Sequence, residues 1–156
     1  YIANTARTPL ASNGIYGQQY QMHRFATEFF KHRVAVNDLG LVSYQNDRYV
    51  LDLWGLGSET VRRLRSKGQW DSEQISQLTA RHDIVYAMVY EEWFSGKIPK
   101  EWCHIANLNA PALTAADDKV GFFLINLRQE GQMRGALKRF ARTLPEWVNI
   151  STYSCS

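Results

Sequence analysis

The chain has 156 residues, 45% of them hydrophobic, with a formal charge of +3 at pH 7 and a pI of about 8.9. That length builds one domain around one proper core, and a mildly basic balance with scattered Lys and Arg excludes a strong nucleic-acid footprint. Two cysteines, Cys103 and Cys155, exclude a disulfide-dense scaffold and lack metal-ligand spacing, although one disulfide between them is possible.

Residues 1–14, with Pro9, Asn13 and Gly14 and no apolar periodicity, read as a lead-in segment or linker. The chain starts at Tyr1 without an initiating Met or a signal peptide, so an excised or processed piece of a longer protein is expected. From Ile15, the residues Gln19, Met22, Phe25, Ala26 and Phe29 fall near helical spacing and predict an amphipathic helix to about Lys31. Its aromatic stripe, Tyr16, Tyr20, Phe25, Phe29 and Phe30, has two readings, the lining of a ligand groove or core, and the helical spacing favours core. Val34 to Val36 predicts a buried strand, after which Asp38 is placed to cap a helical turn over Leu39 to Tyr44. Asn46-Asp47 turns the chain into a second strand, Tyr49 to Leu53.

Ser58 is a natural N-cap for a helix to about Lys67, with Gly68 as its stop. The order strand, GLGS, helix is half of a dinucleotide-binding fingerprint, but it lacks the full glycine spacing and the acidic residue that follows. A helix over Glu73 to Arg81, capped by Asp71 or Ser72, precedes the continuous apolar run Ile84 to Tyr90. Glu91-Glu92-Trp93 lies just beyond that strand. Adjacent carboxylates on extended backbone point to opposite faces, which argues against a catalytic pair. Trp102 to Leu108 predicts a further strand containing His104, a lone histidine read as a hydrogen-bonded structural residue. A strand over Val120 to Asn126, a helix over Gln129 to Arg142 ended by Pro145, and an edge strand near Trp147 to Ile150 complete the pattern.

The alternation predicts an α/β three-layer sandwich with a mostly parallel or mixed central sheet, Rossmann-like, as a single domain over 15–150 with a peripheral tail at 151–156. No apolar run approaches the roughly 18 residues of a membrane-spanning helix. Serine-hydrolase, Walker A and HExxH motifs are absent, and no metal or cofactor is implied. In open α/β sheets, ligands gather at the carboxyl ends of parallel strands, which nominates Asn37, Asp38, Asp52, Trp54 and Ser58 as one ligand-binding crevice.

The segments IYGQQYQMHRF (Ile15 to Phe25), VAVNDLGLVSY (Val34 to Tyr44) and YVLDLWGLGS (Tyr49 to Ser58) together resemble the soluble C-terminal region of bacterial multi-spanning membrane proteins. Those proteins are similar to GT-C glycosyltransferases, which take sugars from polyprenyl-phosphate donors on the outer side of the cytoplasmic membrane. The resemblance covers the first third of the chain. It implies a non-catalytic, extracytoplasmic (periplasmic) accessory domain lying beside the transmembrane portion of its parent and contacting glycan or a polyprenyl-phosphate sugar, with no nucleic acid involved. For that implied role Trp54, Trp93 and Trp102 are ligand-binding candidates alongside Asn37, Asp38 and Asp52, because exposed indole rings stack on sugar C–H faces while Asn and Asp bond hydroxyls. Two other readings stand beside it: a stand-alone α/β enzyme acting on a sugar or nucleotide through Asp38, Asp52 or Glu91-Glu92, and a structural interaction domain whose strand-end residues merely cap helices.

Overall fold

The computed structural model describes residues 14–111 and 118–155, so most of the expected linker, much of the loop after Asn109 and the last residue lie outside the described residues. A helical turn at 14–17 leads into α1, Gln19–Arg24, which continues as a π-helical turn, Phe25–Phe29. Next come β1 (Val34–Val36), the short α2 (Gly40–Ser43), β2 (Val50–Asp52), α3 (Glu59–Ser66), α4 (Ser72–Arg81) and β3 (Tyr86–Val89). A 3-10 turn, Glu91–Phe94, precedes β4 (Cys103–Asn109) and β5 (Lys119–Leu124). Then α5 (Glu130–Ala141) and β6 (Asn149–Thr152) complete the described chain.

The strands form one mixed sheet in the order β2-β1-β3-β5-β4-β6, parallel from β2 to β3 and antiparallel from there to β6. The fold is α/β, with helices on both faces. Strand alternation divides the side chains between two cores. Val34, Val36, Tyr86, Met88 and Phe122 pack with Met22 and Phe25 before β1 and with Met133, Leu137 and Phe140 of α5. Ala35, Leu51, Ala87, Val89 and Phe123 pack on the other face with Val61 of α3 and with Ile75 and Leu78 of α4. The short α2, between β1 and β2, contributes Val42 to the first core, whereas α3 and α4, between β2 and β3, cover the second. The connections therefore leave on opposite faces, which puts the topological switch point between β1 and β3.

Local punctuation works largely as the sequence predicts. Ser58 accepts the Val61 N–H at 3.4 Å, Asp71 accepts the Gln74 N–H at 2.9 Å, and Gly68 ends α3 at φ 67°. Asp38 is different: α2 has no side-chain cap, and Asp38 is turned towards α1 instead. The aromatic stripe divides, with Phe25 and Phe30 buried and Tyr16 and Tyr20 exposed. The tail is not peripheral through Cys155. Ser151 and Thr152 belong to β6, and Cys155 is disulfide-bonded to Cys103 across 52 residues with a Cα–Cα distance of 5.2 Å. Closing a loop of that length removes about 4 kcal/mol of unfolded-chain entropy in the chain-entropy description.

Phe25 anchors the first core, its ring centroid 5.1 Å from Phe122, 5.2 Å from Phe140 and 5.9 Å from Tyr86. The Tyr86 O–H donates to the Phe30 carbonyl at 3.3 Å, and complete burial pushes its ionisation far above the ordinary value of 10.0. The folded chain thus holds this proton to a higher pH than the unfolded chain does. Its contribution is intact below about pH 10 and is lost as pH rises beyond that. Replacing Tyr86 by Phe is expected to flatten the alkaline limb of the stability profile, measured as urea midpoints between pH 8 and 11.

Candidate functional site

The exit of β2 is closed by one carboxylate. Asp52 Oδ1 accepts the Trp54 and Gly55 N–H groups at 2.8 and 3.0 Å, and Oδ2 accepts those of Gly57 and Ser58 at 2.6 and 3.1 Å. A carboxylate offers about four lone-pair directions, and the backbone takes one bond for each. Asp52 is buried and shapes the loop from within, so it has no capacity left for a ligand. The glycines follow from this wrap: Gly55 has φ 90°, and a Cβ on Gly57 would lie 2.7 Å from Leu39 Cδ2. That contact also joins the loops after β1 and β2, the adjacency on which a shared crevice depends.

At the switch point the crevice is filled by the protein itself. Asn37 is buried, and its Oδ1 accepts the Tyr90 N–H at 2.9 Å, tying the exit of β1 to that of β3. The Tyr90 hydroxyl donates to Gln18 Oε1 at 3.2 Å and accepts from Gln19 Nε2 at 3.4 Å. Gln19 Nε2 also donates to Asp38 Oδ2 at 3.2 Å. Among the described residues, Asn37 Nδ2, Gln19 Oε1 and His23 Nδ1 remain buried without partners.

The remaining nominated residues divide. Ser58 is occupied as a cap and by Asp52. Trp54 reaches the same edge, but the Arg65 guanidinium lies 3.5 Å from its ring centroid and also bonds its carbonyl, while Trp93 packs 4.5 Å away. Trp93 itself lies between Trp54 and Tyr90, 5.2 Å from the latter. Trp102 is not part of this edge. It precedes Cys103, which pairs with Leu124 opposite Tyr86 at the start of β3, so Trp102 belongs to the amino ends of the parallel strands, buried near Phe123.

What stands open at the carboxyl edge is a ladder of rings. Trp147 is 6.5 Å from Tyr16, Tyr16 stacks on Tyr20 at 5.2 Å, Tyr20 meets His23 at 6.3 Å, and His23 meets Tyr44 at 6.5 Å. The exposures of Tyr16, Tyr20, Tyr44 and Trp147 lie between 37% and 60%, which leaves ring surface accessible. Gly17 seats the end of the ladder, since a Cβ there would stand 2.5 Å from the Trp147 ring. Gln19 links the ladder to the strand ends through Asp38 and Tyr90. Helical spacing in the sequence names Tyr16 and Tyr20 and favours core over a ligand groove for them, whereas both are exposed, and it gives no link to Tyr44 or Trp147.

A second cluster lies on the β4–β5 half of the sheet, beside the 3-10 turn Glu91–Phe94. His104 Nε2 donates to Asn107 Oδ1 at 2.7 Å and lies 3.5 Å from Glu91 Oε1, while Asn107 Nδ2 donates to the Tyr153 hydroxyl at 3.2 Å. Gly121 lets the Glu91 side chain cross the sheet, because a Cβ there would stand 3.0 Å from Glu91 Cγ. Glu91 thus acquires a histidine partner, whereas Glu92 is exposed on the 3-10 turn. No group of three or more His, Cys, Asp or Glu able to hold a metal occurs among the described residues, and no described helix is long and apolar enough to cross a membrane.

These features define a mixed α/β domain with a self-filled strand-end crevice, an exposed aromatic edge and a disulfide that fastens its last strand. Residues 12–123 match the family described as domain of unknown function DUF8728, and the chain belongs to that family. No curated protein and no solved structure matches it. Because Asp52 holds four backbone N–H groups, Asp52→Ala is expected to lower stability by about 3 kcal/mol. Loss of the Ser58 cap in Ser58→Ala should cost about 1 kcal/mol. Denaturant titration of the two variants checks the ranking.

Proposed function

We propose that this chain is a non-catalytic, extracytoplasmic accessory domain of a membrane glycosyltransferase-like protein and that it contacts glycan through the aromatic ladder. The exposed run from Trp147 through Tyr16, Tyr20 and His23 to Tyr44 carries the reading. Rigid amphipathic rings stack on sugar C–H faces at little entropic cost, and the hydroxyls of the exposed tyrosines among them offer hydrogen-bond partners to sugar hydroxyls. The Cys103–Cys155 disulfide supports an oxidising compartment such as the periplasm. The engagement of Asp52 and Asp38 in the fold supports a non-catalytic strand-end edge. Glycan, or the sugar of a polyprenyl-phosphate donor, is the ligand of this reading, and the transmembrane portion of the parent is the partner.

A second reading, a small enzyme acting on a sugar, is favoured by one observation: Glu91 lies beside His104, the pairing that acid–base chemistry requires.

The test is a titration of the domain with soluble bacterial-envelope oligosaccharides, followed by aromatic 13C NMR. Saturable binding is expected at the ladder, weakened about 5- to 30-fold by Trp147→Ala or Tyr16→Ala if each ring contributes about 1–2 kcal/mol. Gly17→Ala, which displaces Trp147 without deleting it, is expected to weaken binding in the same direction. Absence of binding, or binding indifferent to all three substitutions, overturns the ladder. Turnover of the same oligosaccharides that is lost in His104→Gln replaces the accessory reading with the enzymatic one.

A further inference from the structure

We propose that the amino-end edge of the parallel strands, opposite the aromatic ladder, carries a binding site for a phosphate group. The segments entering β1, β2 and β3 leave an open cleft of about 700 Å³ between them, and Lys31, His32, Arg33, Asp47, Arg48 and Asp83 line it. The cations come from two separate stretches of chain, residues 31–33 before β1 and residue 48 before β2, brought together because β1 and β2 pair in parallel with Val34 opposite Val50.

The charges differ in how firmly they are engaged. Among the described residues, the Lys31 ammonium and the Arg48 guanidinium have no ion-pair partner, and both residues are exposed. Arg33 Nη1 donates to the His82 carbonyl at 3.0 Å, which holds the guanidinium at the mouth of the cleft. Its contact with Asp83 is long, 3.8 Å, and the Asp83 side chain is 85% exposed. An exposed pair of that kind contributes about 0–1 kcal/mol, so an incoming dianion displaces it at little cost. His32 lies against Gln132 of α5, with Nε2 and Oε1 3.2 Å apart.

Guanidinium and ammonium groups around a concave space match the oxygens of a phosphate, which accepts several charge-assisted hydrogen bonds at once. The carboxylates of Asp47 and Asp83 set the size of the ligand. Three cations gather round one phosphate, while two acids on the cleft oppose a polyanion such as nucleic acid that would run across them. The ligand chemistry is therefore a single phosphate group, carried by a soluble ester or by a lipid headgroup.

The experiment uses the whole chain at low ionic strength. Inorganic phosphate and pyrophosphate are titrated and followed by amide chemical shifts. In parallel, the chain is sedimented with phosphatidylcholine vesicles, with and without phosphatidic acid. Shifts confined to residues 31–33, 47–49 and 83–85, with the dissociation constant raised tenfold or more in Lys31→Ala/Arg48→Ala, establish a soluble phosphate ligand. Sedimentation that needs phosphatidic acid and is lost in the double variant establishes a lipid headgroup. Both substitutions are at exposed positions, and far-UV circular dichroism verifies folding. Trp147→Ala is expected to leave phosphate binding unchanged, so failure of the glycan reading and failure of this one are distinguishable. No binding by either probe, or binding unaffected by the double variant, overturns the site.

Discussion

A buried carboxylate surrounded by backbone donors organises the carboxyl edge of this sheet. Asp52 ends β2 and collects four N–H groups from the six residues that follow, which would otherwise be unpaired donors beside an apolar core. That closure sets the start of α3 at Ser58 and presses Gly57 against Leu39, so that the loops after β1 and β2 form one unit. Asn37 does the equivalent work at the switch point by holding the Tyr90 N–H. Charged and amide groups that resemble a ligand-binding set are, in this fold, the means by which strand ends are satisfied.

The open features of the domain follow from that use of the strand ends. With the switch point occupied by Asn37, Tyr90, Gln18 and Gln19, accessible chemistry lies around it: a cleft of about 400 Å³ lined by Leu39, Asp52, Gly57 and Ser58, a row of rings from Trp147 to Tyr44, a Glu–His–Asn–Tyr network on the β4–β5 half of the sheet, and cations at the opposite edge. The disulfide has a positional role as well as an entropic one. It fastens the chain just after Tyr153, which places that hydroxyl on Asn107 and, through it, beside His104.

Much of the local architecture was legible in the chain itself. The apolar runs at Val34 to Val36 and Tyr49 to Leu53, the cap at Ser58, the stop at Gly68 and the cap at Asp71 depend on backbone preferences and on contacts within a few residues. Asp38 illustrates where such reasoning ends. As a potential cap it has a competent local partner, yet Gln19, 19 residues away, takes its carboxylate because α1 packs across the end of β1. His104 shows the same boundary: its hydrogen-bonded character was foreseeable, but its approach to Glu91 requires β5 to bring Gly121 between them.

The sequence by itself determined the α/β class, the principal strands and helices and much of their punctuation, because periodicity and capping are properties of neighbouring residues. Tertiary structure alone decided the strand order, with β5 inserted antiparallel between β3 and β4, and hence which distant side chains meet. It also decided that Tyr16 and Tyr20 face outward while Phe25 and Phe30 of the same stripe are buried, that Trp147 and Tyr44 extend their row, and that Lys31 and Arg48 share a cleft. Helical spacing records which residues share a side of a helix. Whether that side meets a sheet or water depends on where the sheet ends, and only the assembled strands fix that limit.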